Sequence, residues 1–159
     1  MTFKSKRVIA SMVAGAAQAV AYIVYMLSTH APAPEDVRAW ALTMLVFIGI
    51  AIVANIIIQI LFHIAYSVGV AVKERAQDDK KVERIIAAET DEDEMDKLVS
   101  LKSSRIGYVC IGIGFIAALV GLAFLGASAV VALHILLGAF FAGSFIEGGL
   151  SVYFYERGV

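Results

Sequence analysis

Apolar positions along this chain fall in long unbroken runs, not in the stripes of a surface helix or the alternation of a half-buried strand. Four stretches carry almost no formal charge: Val8 to Ser28, Ala39 to Val72, Ile106 to Gly126, and about Ser128 to Tyr155, where Glu147 is the only acid. A hydrocarbon core of about 30 Å is crossed by about 20 residues at a rise of about 1.5 Å each. Each run is long enough to cross once. The second, with 34 uncharged residues, is too long for one crossing and projects beyond it. Short linkers join the first run to the second and the third to the fourth. The pattern predicts an all-α, polytopic membrane protein: an antiparallel bundle of four transmembrane helices forming one membrane domain over 1–159, with spans at about 8–28, 39–62, 106–126 and 129–154.

Between the second and third spans lies the one extended charged segment. Apolar residues recur in it at helical spacing, at Val72, Val82, Ile85 and Ile86, then at Met95, Leu98, Val99 and Leu101. Thr90 followed by Asp91, Glu92, Asp93 and Glu94 reads as a helix N-cap with acids at the positive end of the helix dipole. Helices 2 and 3 are therefore expected to extend into a helical hairpin over 73–104, turning near Glu89 and Thr90.

Composition agrees with this reading and excludes an ordinary soluble domain. Apolar residues make up 60% of the chain and charged residues 17%, against about 45–50% and about 25% in globular domains. The net charge of −1 conceals a strong segregation. Lys4, Lys6 and Arg7 precede the first span, eight more basic residues from Lys73 to Arg105 lie in the central segment, and Arg157 ends the fourth. Only Arg38 of the thirteen falls on the other side. Basic residues are retained in the cytoplasm during insertion, so both termini and the hairpin are expected there. Trp40 fits an outer-interface position, and Tyr108 and Tyr153 to Tyr155 fit the inner one. The 20 residues from Val8 to Leu27 exceed the apolar core of a secretory signal, which spans about 7–15 residues. That run is expected to remain as the first span.

Polar residues inside the spans are the informative ones, because hydrocarbon penalises an unpartnered polar group. Asn55, Gln59 and His63 follow one another at intervals of four on the second span, with Ser67 next, and so share a helix face. At about 1.5 Å per residue from Ala39, Asn55 and Gln59 lie about 24 and 30 Å deep, and Glu147 about 28 Å from Ser128. Ser144 and Ser151 flank Glu147. The matching depths suggest a cluster of Asn55, Gln59, His63 and Glu147 that holds a proton, a cation or a small polar ligand. The alternative is that the amides bond neighbouring helices and Glu147 reaches the inner interface. His134 sits near the outer end of the fourth span, at a different depth from His63, so the two do not supply the ligands of a haem. No cofactor is expected.

Gly107, Gly114 and Gly121 recur every seven residues, with Gly112 and Ala118 nearby, and Gly138, Gly143, Gly148 and Gly149 populate the fourth span. Small residues let membrane helices approach closely; Ser11, Gly15 and Ala19 form a similar stripe on the first. Gly112-Ile113-Gly114 lacks the strand and spacing of a nucleotide loop. The acids from Asp91 to Asp96 lack the pattern of a calcium loop and read as a solvated helix start. A lone cysteine, Cys110, forms no intrachain disulfide. No metal-ligand set and no Ser/His/Asp constellation is present.

The stretch from Asp93 to Tyr108, Asp-Glu-Met-Asp-Lys-Leu-Val-Ser-Leu-Lys-Ser-Ser-Arg-Ile-Gly-Tyr, together with the ending Tyr153-Phe154-Tyr155-Glu156-Arg157-Gly158-Val159, resembles an uncharacterised family of small bacterial predicted membrane proteins. There an acidic start leads through a short amphipathic helix into Arg-Ile-Gly-Tyr at the head of a span, and the chain closes on a Tyr-x-x-Gly-Val tail. The similarity covers the second half of the chain, and the arginine usual in the acidic start is missing from Asp93 to Asp96. The resemblance implies a four-helix bundle in a bacterial cytoplasmic membrane and a genetic association with small helix-turn-helix regulators. It implies no activity.

Two functions are expected on these grounds. The first is a non-enzymatic membrane protein of regulatory or accessory type, in contact with the lipid bilayer, acting through helix packing and through a cytoplasmic protein partner at the 73–104 hairpin, without direct nucleic-acid binding. The second is a small homodimeric transporter or channel using Asn55, Gln59, His63 and Glu147. A membrane enzyme ranks last, because no nucleophile or acid–base pair converges.

Overall fold

A computed structural model describes residues 3–73 and 94–158. The apolar runs fold as four helices: α1 (Phe3–Met26), α2 (Val37–Lys73), α3 (Glu94–Phe124) and α4 (Ala129–Arg157). All four are long and apolar enough to cross a membrane, as expected of a multi-pass membrane protein. Residues 74–93, which include Thr90 and the expected turn of the hairpin, lie outside the described residues. Within them, α2 continues to Lys73 and α3 begins at Glu94, well before the apolar run at Ile106.

Turn chemistry at both short linkers is local. Asp36 Oδ1 accepts from the Ala39 N–H at 2.9 Å and caps α2, and Ser128 Oγ accepts from the Val131 N–H at 3.3 Å and caps α4. At the end of α3, Gly126 has a φ of +63°, and the Ala127 N–H reaches the Gly121 carbonyl at 3.0 Å. This bond, which reaches back six residues around a left-handed glycine, closes the helix and turns the chain directly into α4.

Among the described residues the most extensive contact is between α3 and α4, and glycines make it. Gly107, Gly114, Ala118 and Gly121 are buried on α3. As the α3 numbers rise, their partners on α4 fall: Gly107 meets Gly143 and Glu147, Gly114 meets Ala139, and Gly121 meets Ala127 just before α4. A Cβ on Gly114 would run into the Cβ of Ala139, and one on Gly143 would come within 2.9 Å of the Gly107 carbonyl. Dispersion between closely approaching backbones replaces the hydrophobic force that lipid cannot provide. Of the glycines singled out from the sequence, Gly112, Gly138 and Gly149 have open space where a Cβ would go and take no part.

On its other flank α4 carries α1. Met12 packs onto Gly148, where an added Cβ would lie 2.7 Å from Met12 Cγ, and Gly15 faces Phe145. Helix α2 in turn lies on α1, through Tyr22 against Phe47 with ring centroids 5.2 Å apart and through Gln18 Nε2, which donates to the Phe47 carbonyl at 2.8 Å. Contacts between α2 and α4 are sparser. Between Leu45 and Gly69 no residue of α2 is buried.

Candidate functional site

Helical register places three polar rows around the space between α1, α2 and α4. Asn55 and Gln59 project from one face of α2, Arg7 and Ser11 from one face of α1, and Ser144, Glu147 and Ser151 from α4. A hollow of about 470 Å³ is lined by all of these. Two of its walls are joined by hydrogen bonds: Gln59 Nε2 donates to Ser11 Oγ at 2.8 Å, and Ser11 Oγ donates to Asn55 Oδ1 at 3.2 Å. One serine on α1 thus answers both amides of α2, which are one turn apart.

Glu147 takes its hydrogen bond from the opposite flank. Ser104 of α3 donates to Glu147 Oε1 at 2.6 Å, and Gly107 leaves room for the carboxyl group, whose Oε2 would lie 3.2 Å from a Cβ at that position. The carboxyl is half-buried between α3 and α4 while also lining the hollow. A second pair lies one turn on, with Ser151 Oγ donating to Ser103 Oγ at 2.9 Å and Ser103 Oγ donating to the Val99 carbonyl at 2.7 Å.

Of the four residues expected to cluster, Asn55, Gln59 and Glu147 line one hollow, and no hydrogen bond joins Glu147 to either amide. His63 lies elsewhere. It is exposed and lines an adjoining hollow with Gln59 and Arg7. Comparison with family models, with curated proteins and with solved structures gives no match to this chain.

Arg7, Ser11 and Ser104 were not among the expected site residues. A signal existed for the first two, since Arg7 and Ser11 are spaced by four on α1 just as Asn55 and Gln59 are on α2, and two polar rows in hydrocarbon satisfy each other best by facing. Ser104 carried no such signal, because it sits in a serine-rich stretch ahead of the span.

The basic end of the bundle holds a further set of cross-links. Lys4 forms an ion pair with Asp96, and Ser5 Oγ donates to Glu156 Oε1 at 2.8 Å. Asp96, Val99 and Ser103 are all buried. Asp96 thus departs from the solvated role read from the acidic run, whereas Glu94 is exposed as that reading expects. Lys102 lies over the Phe154 ring at 5.9 Å and Arg157 over Tyr153 at 5.4 Å, so cationic heads sit on the aromatic residues that end α4.

At the opposite end Trp40 lies in the first turn of α2 with its side chain packed inside the bundle. It is buried, with its Nε1–H donating to the Ala33 carbonyl at 3.0 Å and its ring 4.7 Å from that of His134. His134 Nδ1 lies 2.8 Å from the Val130 carbonyl, to which a protonated Nδ1 donates. Nε2 and the neighbouring Tyr22 hydroxyl are buried and have no hydrogen-bond partner among the described residues. That same end closes with Tyr25 Oη donating to the His30 carbonyl at 3.2 Å.

Proposed function

We propose that this chain is a non-enzymatic integral membrane protein of regulatory or accessory type: an antiparallel four-helix bundle of a bacterial cytoplasmic membrane, both termini inside, that acts through the charged segment between α2 and α3. The observation that carries this reading is the way the segment is anchored. Where it enters α3, Val99 and Ser103 are fully buried, 1% and 0% exposed, and Asp96 is tied to Lys4 of α1. On the other side, the stretch of α2 from Leu45 to Gly69 that leads toward it has no buried residue. A partner that pulls on the segment therefore moves α3 and α1 together, and the load reaches α4 through Ser5 and Glu156.

Complementation of a chromosomal deletion tests this. Replacing Lys80, Lys81 and Arg84 with Gln is expected to abolish complementation at unchanged membrane abundance. Full complementation by that variant would sink the proposal. A cysteine placed at position 83 in a Cys110→Ala background is expected to resist an impermeant maleimide in intact cells and to react after lysis.

A second reading, a small homodimeric transporter or channel, is favoured by the hollow that brings Asn55, Gln59 and Glu147 to common walls. Its expected outcome is flux in proteoliposomes that is lost in Glu147→Gln at unchanged reconstitution. Flux equal to empty vesicles for the unaltered protein would remove it.

A further inference from the structure

The polar hollow does not end at Asn55. A second hollow of about 700 Å³ runs on between α2 and α4, lined by side chains such as Met44, Leu45, Ile48, Leu137 and Phe140. Ala51, Asn55, Phe141 and Ser144 line both hollows, so the two adjoin along one trough. One end of the trough presents a guanidinium, amides and hydroxyls. The other is aliphatic and aromatic.

Arg7 lines the polar end and forms no ion pair among the described residues. A guanidinium placed where a membrane helix meets the interface is a bidentate partner for phosphate. The apolar branch extends from Ala41 to Asn55 on α2, fourteen residues apart and so about 21 Å along the helix. Each leaflet's chains occupy about 15 Å of a hydrocarbon core of about 30 Å, so a chain from the Arg7 side fills the part of the branch nearest Asn55. Helices α2 and α4 share few contacts, which leaves the trough accessible from the side.

We infer that this trough binds one membrane phospholipid from the leaflet at the α1 N-terminal end. The phosphate engages Arg7 with Gln59 and Asn55 beside it, and one acyl chain lies between α2 and α4. This rests on the reading of the polar hollow as a ligand site and names the ligand's chemical class. Arg7 fixes the headgroup, and the width of the groove at Ala51 and Ser144 fixes the chain.

Native mass spectrometry of the whole protein, exchanged into nanodiscs of phosphatidylethanolamine and phosphatidylglycerol and then released into detergent, tests it. One retained phospholipid per chain is expected. Arg7→Gln, at an exposed position, and Ser144→Leu, which fills the groove, are each expected to reduce retention about tenfold, the scale of one lost charge-assisted hydrogen bond. Inorganic phosphate at millimolar concentration is expected not to displace the lipid. Retention unchanged in both variants overturns the proposal, and so does displacement by phosphate, which would mark a site for a soluble anion. If no lipid is retained while proteoliposome flux is lost in Glu147→Gln, the lipid assignment falls and the ligand-site reading stands. If flux is absent as well, both fall.

Discussion

Serines set the polar geometry of this bundle, and three of them meet partners on a neighbouring helix. Ser11 meets two amides, Ser104 meets a carboxyl group and Ser103 links Ser151 to the α3 backbone. A hydroxyl is small enough to sit between closely packed helices and satisfies donors and acceptors alike. Removing one strands its partner. Ser104→Ala is expected to destabilise the protein in detergent by about 0.5–2 kcal/mol, the range for a lost interhelical hydrogen bond whose partner stays half-buried. Thermal unfolding followed by circular dichroism checks this, and a midpoint equal to the parent's would show that Glu147 gains nothing from Ser104. At this scale the sequence was informative about which residues matter and less so about their partners. Asn55, Gln59 and Glu147 stood out because hydrocarbon makes any polar residue conspicuous. Their spacing placed the amides on one face, but nothing in one helix's register reveals which neighbour it faces. Trp40 illustrates the same limit: its position marked the start of a helix, and the contact with His134 comes from α4, far along the chain.

Among the elements, α3 and α4 depend on each other through absent side chains. Gly114→Leu is expected to cost about 1–3 kcal/mol or more by overpacking against Ala139. Gly112→Ala, where a Cβ meets open space, is expected to be neutral or to stabilise by about 0.5–1 kcal/mol through helix propensity. The same unfolding assay separates the two, and equal effects would mean that the glycine contact is not what holds this pair together. The seven-residue repeat at Gly107, Gly114 and Gly121 made that face legible, since it keeps small residues on one side of a helix over four turns. The extent of the helices was also legible, because uninterrupted apolar length is the strongest signal hydrocarbon imposes. What the repeat did not tell was the difference between Gly114 and Gly112, two residues apart and so on different sides of the helix.

For the molecule as a whole, charge gathers at one end, where Lys4, Asp96, Ser5 and Glu156 tie three helices. Swapping the ion pair tests that tie: Lys4→Glu and Asp96→Lys are each expected to destabilise, and the double exchange to recover most of the loss. Additive losses would show that the pair is incidental. The segregation of basic residues that predicts orientation was plain in the sequence. That Asp96 belongs to the clamp and not to the solvated acids before it depended on Lys4, which lies ninety-two positions away. Helix α4 touches all three others, whereas α3 packs chiefly on α4. During synthesis that hub emerges after its three clients, so α1 and α3 must wait in the bilayer with their small-residue faces against lipid. Assembly is then gated by the arrival of α4, and a ribosome stalled before Ser128 leaves α3 without its partner, open to membrane proteases.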